Sequence, residues 1–387
     1  MTKYSLRPYQ QEAVDKSVAF LTKKKGENGI IVLPTGSGKS LVIAAIAKAL
    51  GEPTLIFSPT KEILEQNLEK LASYGEYASV YSASMGQRRL SNITLATIGS
   101  VKNRADIFAG FQYVLIDECH LVNAKGGMYS DFIKKQDGSV LGLTATPYRL
   151  TTDGFGGSIL KFLTRTRPRI FSHLIYYVQI GQLFNEGHLA RLRYFTNAEF
   201  DRSKLRLNST GADFADASIQ QYYTASGFKD KIAEQVKDIL RYRKNCLVFT
   251  RFIEESEYLV NNIPGTAIVT GKTPKKERER LITDFRKGII KAICNVGVLT
   301  TGFDYPELET VVLARPTMSL ALYYQMVGRG IRPHPNKDFT AVIDMCGNHE
   351  LFGKVEDLQI INGGGGKWFI ASNGRQLTNV YYGERTQ

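Results

Sequence analysis

Residues 33–40 read LPTGSGKS, and the organisation of the chain follows from what flanks them. An apolar run, GIIV at 29–32, comes directly before this stretch, and a second run, LVIAAIA at 41–47, comes directly after it. A short apolar run, a glycine-rich turn and a longer apolar run are typical of a buried strand that passes into a helix. Leu33 departs from the general pattern for such turns, which has glycine at the first position.

The turn itself suits a phosphate group. Gly36 and Gly38 allow the backbone to wrap around a phosphate with its amides pointing inward, at the positive end of the helix. Lys39 would reach the β- and γ-phosphates of a nucleotide, and the Ser40 hydroxyl would bind Mg²⁺. The alternative is a glycine-rich turn followed by an ordinary surface lysine.

Composition favours a globular chain with a polyanionic partner. The 387 residues suit two domains of ordinary size, and 43% hydrophobic with 22% charged residues is typical of globular proteins. The formal net charge of +13 favours binding to nucleic acid, because neutralising phosphates releases condensed counterions. A basic balance alone is weak evidence, since many basic proteins bind no nucleic acid.

The cysteines and the amino terminus indicate a cytosolic protein. The four cysteines are widely separated and form no CxxC pair, which predicts neither a disulfide framework nor a zinc site. Residues 1–8 lack the apolar stretch of a signal peptide, and Lys48 interrupts the run after the glycine-rich turn. We therefore expect no membrane insertion and a cytoplasmic location, in a bacterial or phage-infected host cytosol.

A second informative stretch lies at 113–120. The apolar run YVLI at 113–116 reads as a strand, and DECH follows at 117–120. Acids at the carboxyl end of a parallel strand lie where open α/β sheets place their ligands. Asp117 would hold Mg²⁺ through water, and Glu118 would orient and deprotonate the attacking water. The alternative is a pair of solvated acids at the start of a loop.

Hydroxyl and glycine residues follow other predicted strands of the first half. Runs at 54–57, 93–96 and 140–143 read as strands. The residues after the runs at 54–57 and 93–96 could bind a nucleic-acid backbone or cap a helix, and the sequence does not distinguish these two roles. The hydroxyls after the third are expected to bond groups on a neighbouring domain. The residues concerned are Pro59, Thr60, Thr97, Gly99, Ser100, Thr144 and Thr146.

A second α/β domain is predicted from 231 onward. Strand-like runs at 246–249, 267–269 and 292–295 alternate with helical spacing, and such units cannot bury their faces singly. The stretch between the two domains is basic and rich in loops, with a helix expected around 180–184. Candidate nucleic-acid contacts in the second domain are Thr250, Arg251, Thr270, Gly271 and Thr300.

The end of the second domain carries two arginines. Residues 325–332, QMVGRGIR, are expected to close a helix that begins near Ser319. Arg329 and Arg332 are three apart, which would place both on one helical face. Guanidinium groups in a cleft can neutralise charge on a transferring γ-phosphoryl group, although a salt bridge between domains is the alternative. After a glycine run at 363–366, Trp368 is interpreted as a structural anchor.

Taken together, these stretches resemble a superfamily 2 helicase with a DEAD/DEAH-like box, here spelled DECH. Residues 6–14, 143–147 and 298–304 look like those of RadD-like bacterial DNA-repair helicases and phage branch-migration helicases. The resemblance implies an α/β fold of two tandem RecA-like domains with parallel sheets, an interdomain ATP cleft, and DNA across the top. It divides the chain into an ATP-binding domain at 1–150, a connecting region at 151–230, a carboxyl-terminal helicase domain at 231–350 and a tail at 351–387.

The resemblance also assigns roles to residues. ATP and Mg²⁺ would be the cofactors, with Gln10 recognising adenine and Gln325 and Thr146 coupling the domains. Catalysis would fall to Lys39, Asp117, Glu118, Gln325, Arg329 and Arg332, coupling to His120, Thr144 and Thr146, and Mg²⁺ binding to Ser40 and Asp117. Nucleotide contacts would come from Arg7, Gln10, Thr35, Gly36, Ser37, Gly38, Lys39, Ser40, Gly302 and Asp304.

The leading functional hypothesis is an ATP-dependent DNA helicase or translocase that acts on forked or branched DNA. Contacts mostly to phosphates would make binding largely independent of sequence and steeply dependent on salt. A monomer is expected. The alternatives are an RNA helicase, the ATPase motor subunit of a restriction complex, and a non-enzymatic nucleic-acid scaffold with a residual nucleotide pocket.

Overall fold

The computed structural model describes residues 4–152, 158–196, 199–297 and 305–381. Helices and strands alternate along the chain as predicted, because apolar runs of four to six residues alternate with longer amphipathic segments. In the first half the elements are α1 Pro8–Lys23, β1 Asn28–Val32, α2 Lys39–Leu50, β2 Thr54–Phe57, α3 Lys61–Ser73, β3 Ser79–Ser82, β4 Gln87–Arg88, β5 Ile93–Ala96, α4 Ile98–Val101, β6 Tyr113–Asp117, α5 Met128–Ile133, β7 Ser139–Thr144, β8 Tyr148–Thr152, β9 Ser158–Phe162 and β10 His173–Tyr177.

The second half continues the same alternation and ends in short strands. The helix expected around 180–184 is present, and the glycine run at 363–366 leads into a strand that begins at Trp368. The elements are α6 Ile180–Asn185, β11 Arg191–Thr196, α7 Asp216–Ser226, α8 Phe228–Tyr242, β12 Cys246–Thr250, α9 Ile253–Asn262, β13 Thr266–Thr270, α10 Lys275–Arg286, β14 Ala292–Val296, β15 Thr310–Ala314, α11 Leu320–Val327, β16 Phe339–Asp344, α12 Asn348–Phe352, β17 Gln359–Asn362, β18 Trp368–Ser372 and β19 Arg375–Gln376.

The chain forms two compact units. The first comprises Met1–Thr151, Lys161–Gln179 and Ile360–Ile370, and the second comprises Thr152–Leu160, Ile180–Gln359 and Ala371–Gln387. Each unit thus takes in segments from more than one part of the chain. The division at 150, 230 and 350 stays a prediction.

The first unit is built on an eight-stranded sheet. Its strand order is β10-β1-β7-β6-β2-β5-β3-β4, and its pairs are parallel except β3 with β4. The central strands are buried on both faces, as expected for a parallel sheet covered by helices. Trp368 lies with its ring centroid 5.4 Å from that of Tyr177 in the same unit, in agreement with a structural anchor.

The second unit is built on a six-stranded parallel sheet. Its strand order is β11-β16-β15-β12-β14-β13. Parallel strands place all their carboxyl ends at one edge of a sheet, so each unit has one edge where the loops after its strands gather. The fold class predicted from the sequence, α/β with parallel sheets, is confirmed. Within the described residues, no helix is long and apolar enough to cross a lipid bilayer.

Candidate ATP and nucleic-acid site

The predicted nucleotide residues of the first unit gather at one edge of its sheet. Strands β1, β7, β6, β2 and β5 are consecutive neighbours and run parallel. The glycine-rich loop, the DECH stretch and the hydroxyl-bearing loops each follow one of these strands. Sheet topology therefore brings together residues that are up to about a hundred positions apart in sequence.

The backbone of the loop at 33–38 depends on its glycines. Gly36 and Gly38 have φ angles of 79° and 82°, in the left-handed region that favours glycine. A Cβ atom on Gly38 would lie 2.5 Å from Gln10 Nε2, so a side chain there would displace the Gln10 amide from the Ser37 carbonyl. Leu33, which replaces the expected first glycine, is fully buried, and its amide donates to the Thr144 carbonyl at 3.0 Å.

The start of α1 is bonded to this loop. Gln10 is 3% exposed; its Oε1 accepts from the Arg7 amide at 2.8 Å, and its Nε2 donates to the Ser37 carbonyl at 2.6 Å. The Tyr9 hydroxyl donates to the same carbonyl at 2.9 Å, and Arg7 Nη1 donates to that hydroxyl at 3.3 Å. The Gln10 amide keeps a second N–H and a second lone pair for an adenine edge. Adenine recognition by Gln10 stays a prediction.

Asp117 occupies a buried position at the end of β6. It is 3% exposed, and Asn67 Nδ2 donates to its Oδ2 at 3.1 Å and also to Ser58 Oγ at 3.0 Å. The Glu118 amide donates to Asp117 Oδ1 at 3.0 Å. Burial and the neighbouring Glu118 carboxylate raise the pKa of Asp117 above its ordinary value, because both disfavour the negative charge of the ionised Asp117 side chain. A cation at this carboxylate would oppose both effects.

Glu118 lies between a lysine and a histidine. Its Oε1 is 3.4 Å from Lys39 Nζ, and its Oε2 is 3.3 Å from His120 Nδ1. Burial alone would raise the pKa of Glu118, but the Lys39 charge and the His120 hydrogen bond outweigh burial and hold that pKa below its ordinary value. Glu118 also has a φ of 52°, a left-handed conformation uncommon for a residue with a side chain. The carboxylate is thus ionised and fixed in place beside Lys39.

His120 joins the DECH stretch to the loop after β7. Its Nδ1 is 3.0 Å from Thr144 Oγ1 and 3.1 Å from Thr146 Oγ1. Arg149 Nη1 donates to the carbonyls of His120 and Leu121, both at 3.1 Å. The two threonine hydroxyls that sequence reasoning aimed at a neighbouring domain therefore have a partner within the first unit. Their coupling role stays a prediction.

Cys119 faces the sheet rather than the edge. It is fully buried, and burial raises the pKa of its thiol well above the ordinary value. A Cβ on Gly142 of β7 would lie 2.6 Å from Cys119 Sγ and 2.7 Å from its Cβ. Cysteine at the third position of the DECH stretch is accommodated because β7 carries glycine at the contact.

The residues at this edge fit Mg-ATP in kind. Ser37 Oγ is buried with no hydrogen-bond partner, an orphaned polar atom within the loop that would hold the phosphates. Lys39 and Ser40 begin α2, a helix of 12 residues whose amino terminus favours an anion. Among the described residues, no group of three or more His, Cys, Asp and Glu side chains is placed to hold a metal ion. A Mg²⁺ here would take most of its oxygen ligands from phosphates and water.

The hydroxyl-bearing residues among the predicted nucleic-acid contacts of the first unit form local hydrogen bonds. Thr60 caps α3, since its Oγ1 accepts from the Ile63 amide at 3.3 Å. Thr97 Oγ1 lies 3.0 Å from Ser100 Oγ, and Ser100 Oγ accepts from the Ala83 amide at 2.9 Å. Pro59 is half-buried, and Gly99 is exposed with open space around it. Capping and phosphate contact remain compatible, because a hydroxyl that accepts can still donate.

In the second unit, Thr250 ends β12 and Arg251 follows it. Thr250 is fully buried, with Oγ1 2.7 Å from Ser256 Oγ. Arg251 donates through Nε to Asp216 Oδ1 at 2.6 Å, forms a further ion pair with that carboxylate through Nη2, and lies 3.7 Å from Asp213 Oδ2 through Nη1. A phosphate would compete with Asp216 for this guanidinium. The nucleic-acid role of both residues stays a prediction.

Two further predicted positions lie at the end of β13. Thr270 Oγ1 accepts from the Lys272 amide at 3.2 Å, and Gly271 is exposed with open space around it. Thr270 is the last residue of β13, the strand at the end of the sheet order, and Gly271 follows it. Thr300, Gly302 and Asp304 lie outside the described residues.

The arginine stretch requires a correction. The helix begins after Ser319, whose Oγ accepts from the Leu322 amide at 3.2 Å, but it ends at Val327. Arg329 and Arg332 therefore follow the helix, and the argument that a spacing of three places them on one helical face is wrong. Gly328 ends the helix, after which the chain turns into the core at Ile331, which is fully buried. Gln325 remains within the helix, Arg329 is half-buried and Arg332 is exposed.

The turn after α11 is held by a buried lysine. Lys337 is 9% exposed, and its Nζ donates to the Gly330 carbonyl at 2.9 Å and to the Leu308 carbonyl at 3.1 Å. Thr340 Oγ1 donates to the Gly330 carbonyl at 2.6 Å. Burial lowers the pKa of Lys337 to about 8. Two side chains thus fix the backbone one residue beyond Arg329.

Sequence reasoning missed four residues that position the site: Tyr9, Asn67, Arg149 and Lys337. A signal existed for Asn67, because it shares the helical spacing of the buried Ile63, Leu64 and Leu71 on α3. A polar residue on an apolar face needs a buried partner, here Asp117. Lys337 gave no such signal, since it lies among exposed residues in sequence.

Two family models match the chain. One, described as type III restriction enzyme, res subunit, matches residues 3–149, and the other, described as helicase conserved C-terminal domain, matches residues 231–334. The chain is also 30% identical over 332 residues to the 51.5 kDa protein of Lactococcus phage (isolate 7-9), covering 84% of this chain and 67% of that protein. The chain belongs to the superfamily 2 helicases. Helicases of this superfamily are ATP-dependent, in agreement with the site above.

Two further similarities support this family. The chain is 28% identical over 368 residues to the DNA 3'-5' translocase XPB2 of Sulfurisphaera tokodaii, covering 85% of this chain and 79% of that protein. It resembles the structure of a fragment of a putative HsdR subunit of a type I restriction enzyme from Vibrio vulnificus YJ016 with a TM-score of 0.68 at 20% identity, covering 92% and 67% of the two chains. The RecA-like helicase fold in two tandem domains is thereby confirmed.

The helicase spans only part of its relatives. It covers between 51% and 79% of the length of the first curated relatives that it matches. Substrate and partners are therefore proposals. A particular closeness to RadD-like helicases is not confirmed by these similarities.

Proposed function

We propose that this superfamily 2 helicase is an ATP-driven DNA translocase and helicase that acts on forked or branched DNA. The observation that carries the proposal is the arrangement of Lys39, Asp117 and Glu118 at one sheet edge, with Lys39 Nζ 3.4 Å from Glu118. ATP with Mg²⁺ supplies the phosphoryl group whose hydrolysis drives movement. DNA is favoured by the name of the XPB2 relative and by the net charge of +13.

Each residue of the first unit then has a chemical task. Lys39 would bind the β- and γ-phosphates, and Ser40 and Asp117 would hold Mg²⁺, Asp117 through water. A triphosphate would attract Lys39 more strongly than one carboxylate does, which would release Glu118 to orient a water and accept its proton. Arg329 and Arg332 would stabilise charge on the γ-phosphoryl group from the second domain.

The catalytic assignment is tested by Lys39→Ala and Glu118→Gln. Both variants should bind a DNA fork with near wild-type affinity and lose ATP turnover by roughly a hundredfold or more. Lys48→Ala is the matched control on the same helix, because Lys48 is exposed and pairs with Glu76 at 3.6 Å. Wild-type hydrolysis by Glu118→Gln would contradict the assignment.

Substrate choice is tested on a panel of nucleic acids. ATPase stimulation by single-stranded DNA, single-stranded RNA, forks, four-way junctions and linear duplex should be greatest for forked or branched DNA. Strand separation measured on the same panel should follow the same order. Greater stimulation by RNA than by DNA would support the RNA helicase alternative instead.

A second candidate is the ATPase motor of a restriction complex. It is favoured by the description of the matching amino-terminal family and by the similarity to the HsdR fragment. Such a motor moves along duplex DNA without separating its strands. Displacement of a triplex-forming strand from linear duplex, without unwinding of forks, would favour this candidate over the helicase.

A further inference from the structure

Three arginines gather at the amino edge of the second sheet. Arg191 and Arg193 are the first and third residues of β11, and Arg243 lies three residues before β12. Phe339, the first residue of β16, lies at the same edge. In a parallel sheet all amino ends lie at the edge opposite the carboxyl ends, where Thr250 and the other predicted contacts lie. A strand of five residues separates the two edges by roughly 16 Å.

The geometry at this edge concentrates positive charge over an aromatic ring. The Arg193 guanidinium lies 4.2 Å from the centroid of Phe339, and the Arg243 guanidinium lies 4.1 Å from the same centroid. Arg191 is aligned with Phe339 in the strand register, so the two side chains lie on the same face of the sheet. Tyr242, next to Arg243, is 79% exposed. We name Arg191, Arg193, Arg243, Tyr242 and Phe339 the amino-edge cluster.

These arginines differ from other basic side chains of the unit. Within the described residues, Arg191, Arg193 and Arg243 form no ion pair with a carboxylate, and Arg191 and Arg193 are exposed. By contrast, Lys229 and Lys231, at the other end of α8, pair with Glu254 and Glu199. Two guanidinium groups that contact one ring repel each other, and an anion bound to them would relieve this repulsion.

We propose that the amino-edge cluster binds the phosphodiester backbone of a nucleic-acid segment other than the strand at the carboxyl edge. Guanidinium groups bind phosphate oxygens in pairs, and the face of Phe339 restricts where they can move. A forked substrate has such a second segment in its duplex arm or its displaced strand. The proposal rests on the proposed function only in taking nucleic acid as the substrate.

The experiment compares Arg193→Gln/Arg243→Gln with the matched double variant Lys229→Gln/Lys231→Gln, which removes the same charge from ion-paired positions. Affinity is measured by fluorescence anisotropy for a fork, a blunt duplex and a 12-nucleotide single strand at several salt concentrations. The arginine double variant should bind the fork on the order of tenfold more weakly. The slope of the logarithm of its binding constant against the logarithm of salt concentration should fall by an amount that corresponds to about one to two phosphate contacts. Its affinity for the short strand and its ATPase rate at saturating short strand should match the wild type.

A second variant guards against a packing defect. Arg191→Gln removes a charge without removing a ring contact, and it should weaken fork binding by a smaller factor with an unchanged thermal midpoint. The blunt duplex identifies the segment: loss on duplex assigns the duplex arm, and loss on the fork alone assigns the displaced strand.

Several outcomes would overturn the proposal. Fork affinity of the arginine variant equal to that of the lysine control would do so, as would equal losses on the fork and the short strand. Binding of poly-glutamate that depends on these arginines while DNA binding does not would assign the cluster to an acidic protein instead. Absence of any nucleic-acid binding by the wild type would refute the proposed function itself, a different result.

Discussion

At the scale of single residues, the candidate catalytic site shows an energetic conflict. Asp117 is buried beside Glu118, and the Lys39 charge with amide donors from Asn67 and Glu118 compensates this burial only in part. Such a carboxylate costs folding free energy when ionised and suits the binding of a cation. Stability and activity should therefore respond in opposite directions to changes here.

The first prediction concerns Asp117→Asn. At pH 8 without Mg²⁺, this variant should be more stable than wild type by about 1–2 kcal/mol, because it removes a buried charge. The folded pKa of Asp117 is raised, so the folded state binds more protons than the unfolded state and the wild type gains stability as pH falls through that pKa. The difference between the two should shrink toward pH 5. Thermal or urea unfolding at pH 8, 6.5 and 5 measures it, and a difference that grows on acidification would contradict it.

The second prediction concerns Asn67→Ala. This change removes the side-chain amide that orients Asp117 but leaves the predicted Mg²⁺ ligands Ser40 and Asp117 unsubstituted. The Mg²⁺ concentration for half-maximal ATPase should rise about tenfold, as for other residues that orient metal ligands. A Mg²⁺ titration of ATPase measures this concentration. Asn262→Ala is the control, since Asn262 is exposed and bonds the Tyr258 carbonyl; an equal effect there would argue against a role for Asn67.

At the scale of elements, the turn after α11 depends on Lys337. Its Nζ and Thr340 Oγ1 donate to the Gly330 carbonyl, one residue from Arg329. A buried ammonium with carbonyl partners alone is costly in the charged form, and its pKa is lowered from 10.5 to about 8. The contribution of Lys337 to the stability of the turn that carries Arg329 should therefore depend on pH, and this dependence can be measured.

The third prediction concerns Lys337→Met. The unfolded state binds the lysine proton up to about pH 10.5 and the folded state only to about pH 8, so wild-type stability relative to Lys337→Met should rise between pH 7 and 10. The gain should be at most about 3 kcal/mol. Urea unfolding of both proteins across this range measures it. The variant should also lower kcat more than it raises KM for ATP, whereas Lys367→Met, a control at an exposed position of the first unit, should change neither.

Comparison of sequence and structure shows what local patterns could predict. The cap at Thr60 and the start of α11 at Ser319 were predictable, because N-capping depends on residues three positions apart. The end of α11 could not be predicted from helical spacing, because burial of Ile331 and packing of Gly330 against Thr340 end it. The partner of Asn67 is 50 residues away, so only the sheet order brings the two together.

At the scale of the whole molecule, positive charge and loop placement favour contacts to phosphates. The chain has a net charge of +13, and the predicted contact residues are mostly hydroxyl-bearing residues and glycines, with Arg251 as the one charged side chain among them. Family and fold could be predicted from motif order, whereas the amino-edge cluster could not, since it combines three segments that lie about 50 to 150 residues apart in sequence.

The fourth prediction concerns binding to DNA. Affinity for two single strands of equal length and unrelated sequence should agree within about threefold. The logarithm of the binding constant should fall linearly with the logarithm of salt concentration, with a slope corresponding to several phosphates. Anisotropy titrations at four salt concentrations measure both. A preference above about a hundredfold for one sequence would indicate base readout instead.

The contact of Cys119 with Gly142 has a practical consequence. All four cysteines are buried and unoxidised, and burial raises each thiol pKa, so the native protein should react slowly with maleimide. A variant in which the other three cysteines are replaced would keep Cys119 as a single reactive thiol, directly after Asp117 and Glu118 in sequence. The rate at which maleimide labels Cys119, measured with and without nucleotide, would report how often local unfolding exposes this part of the sheet.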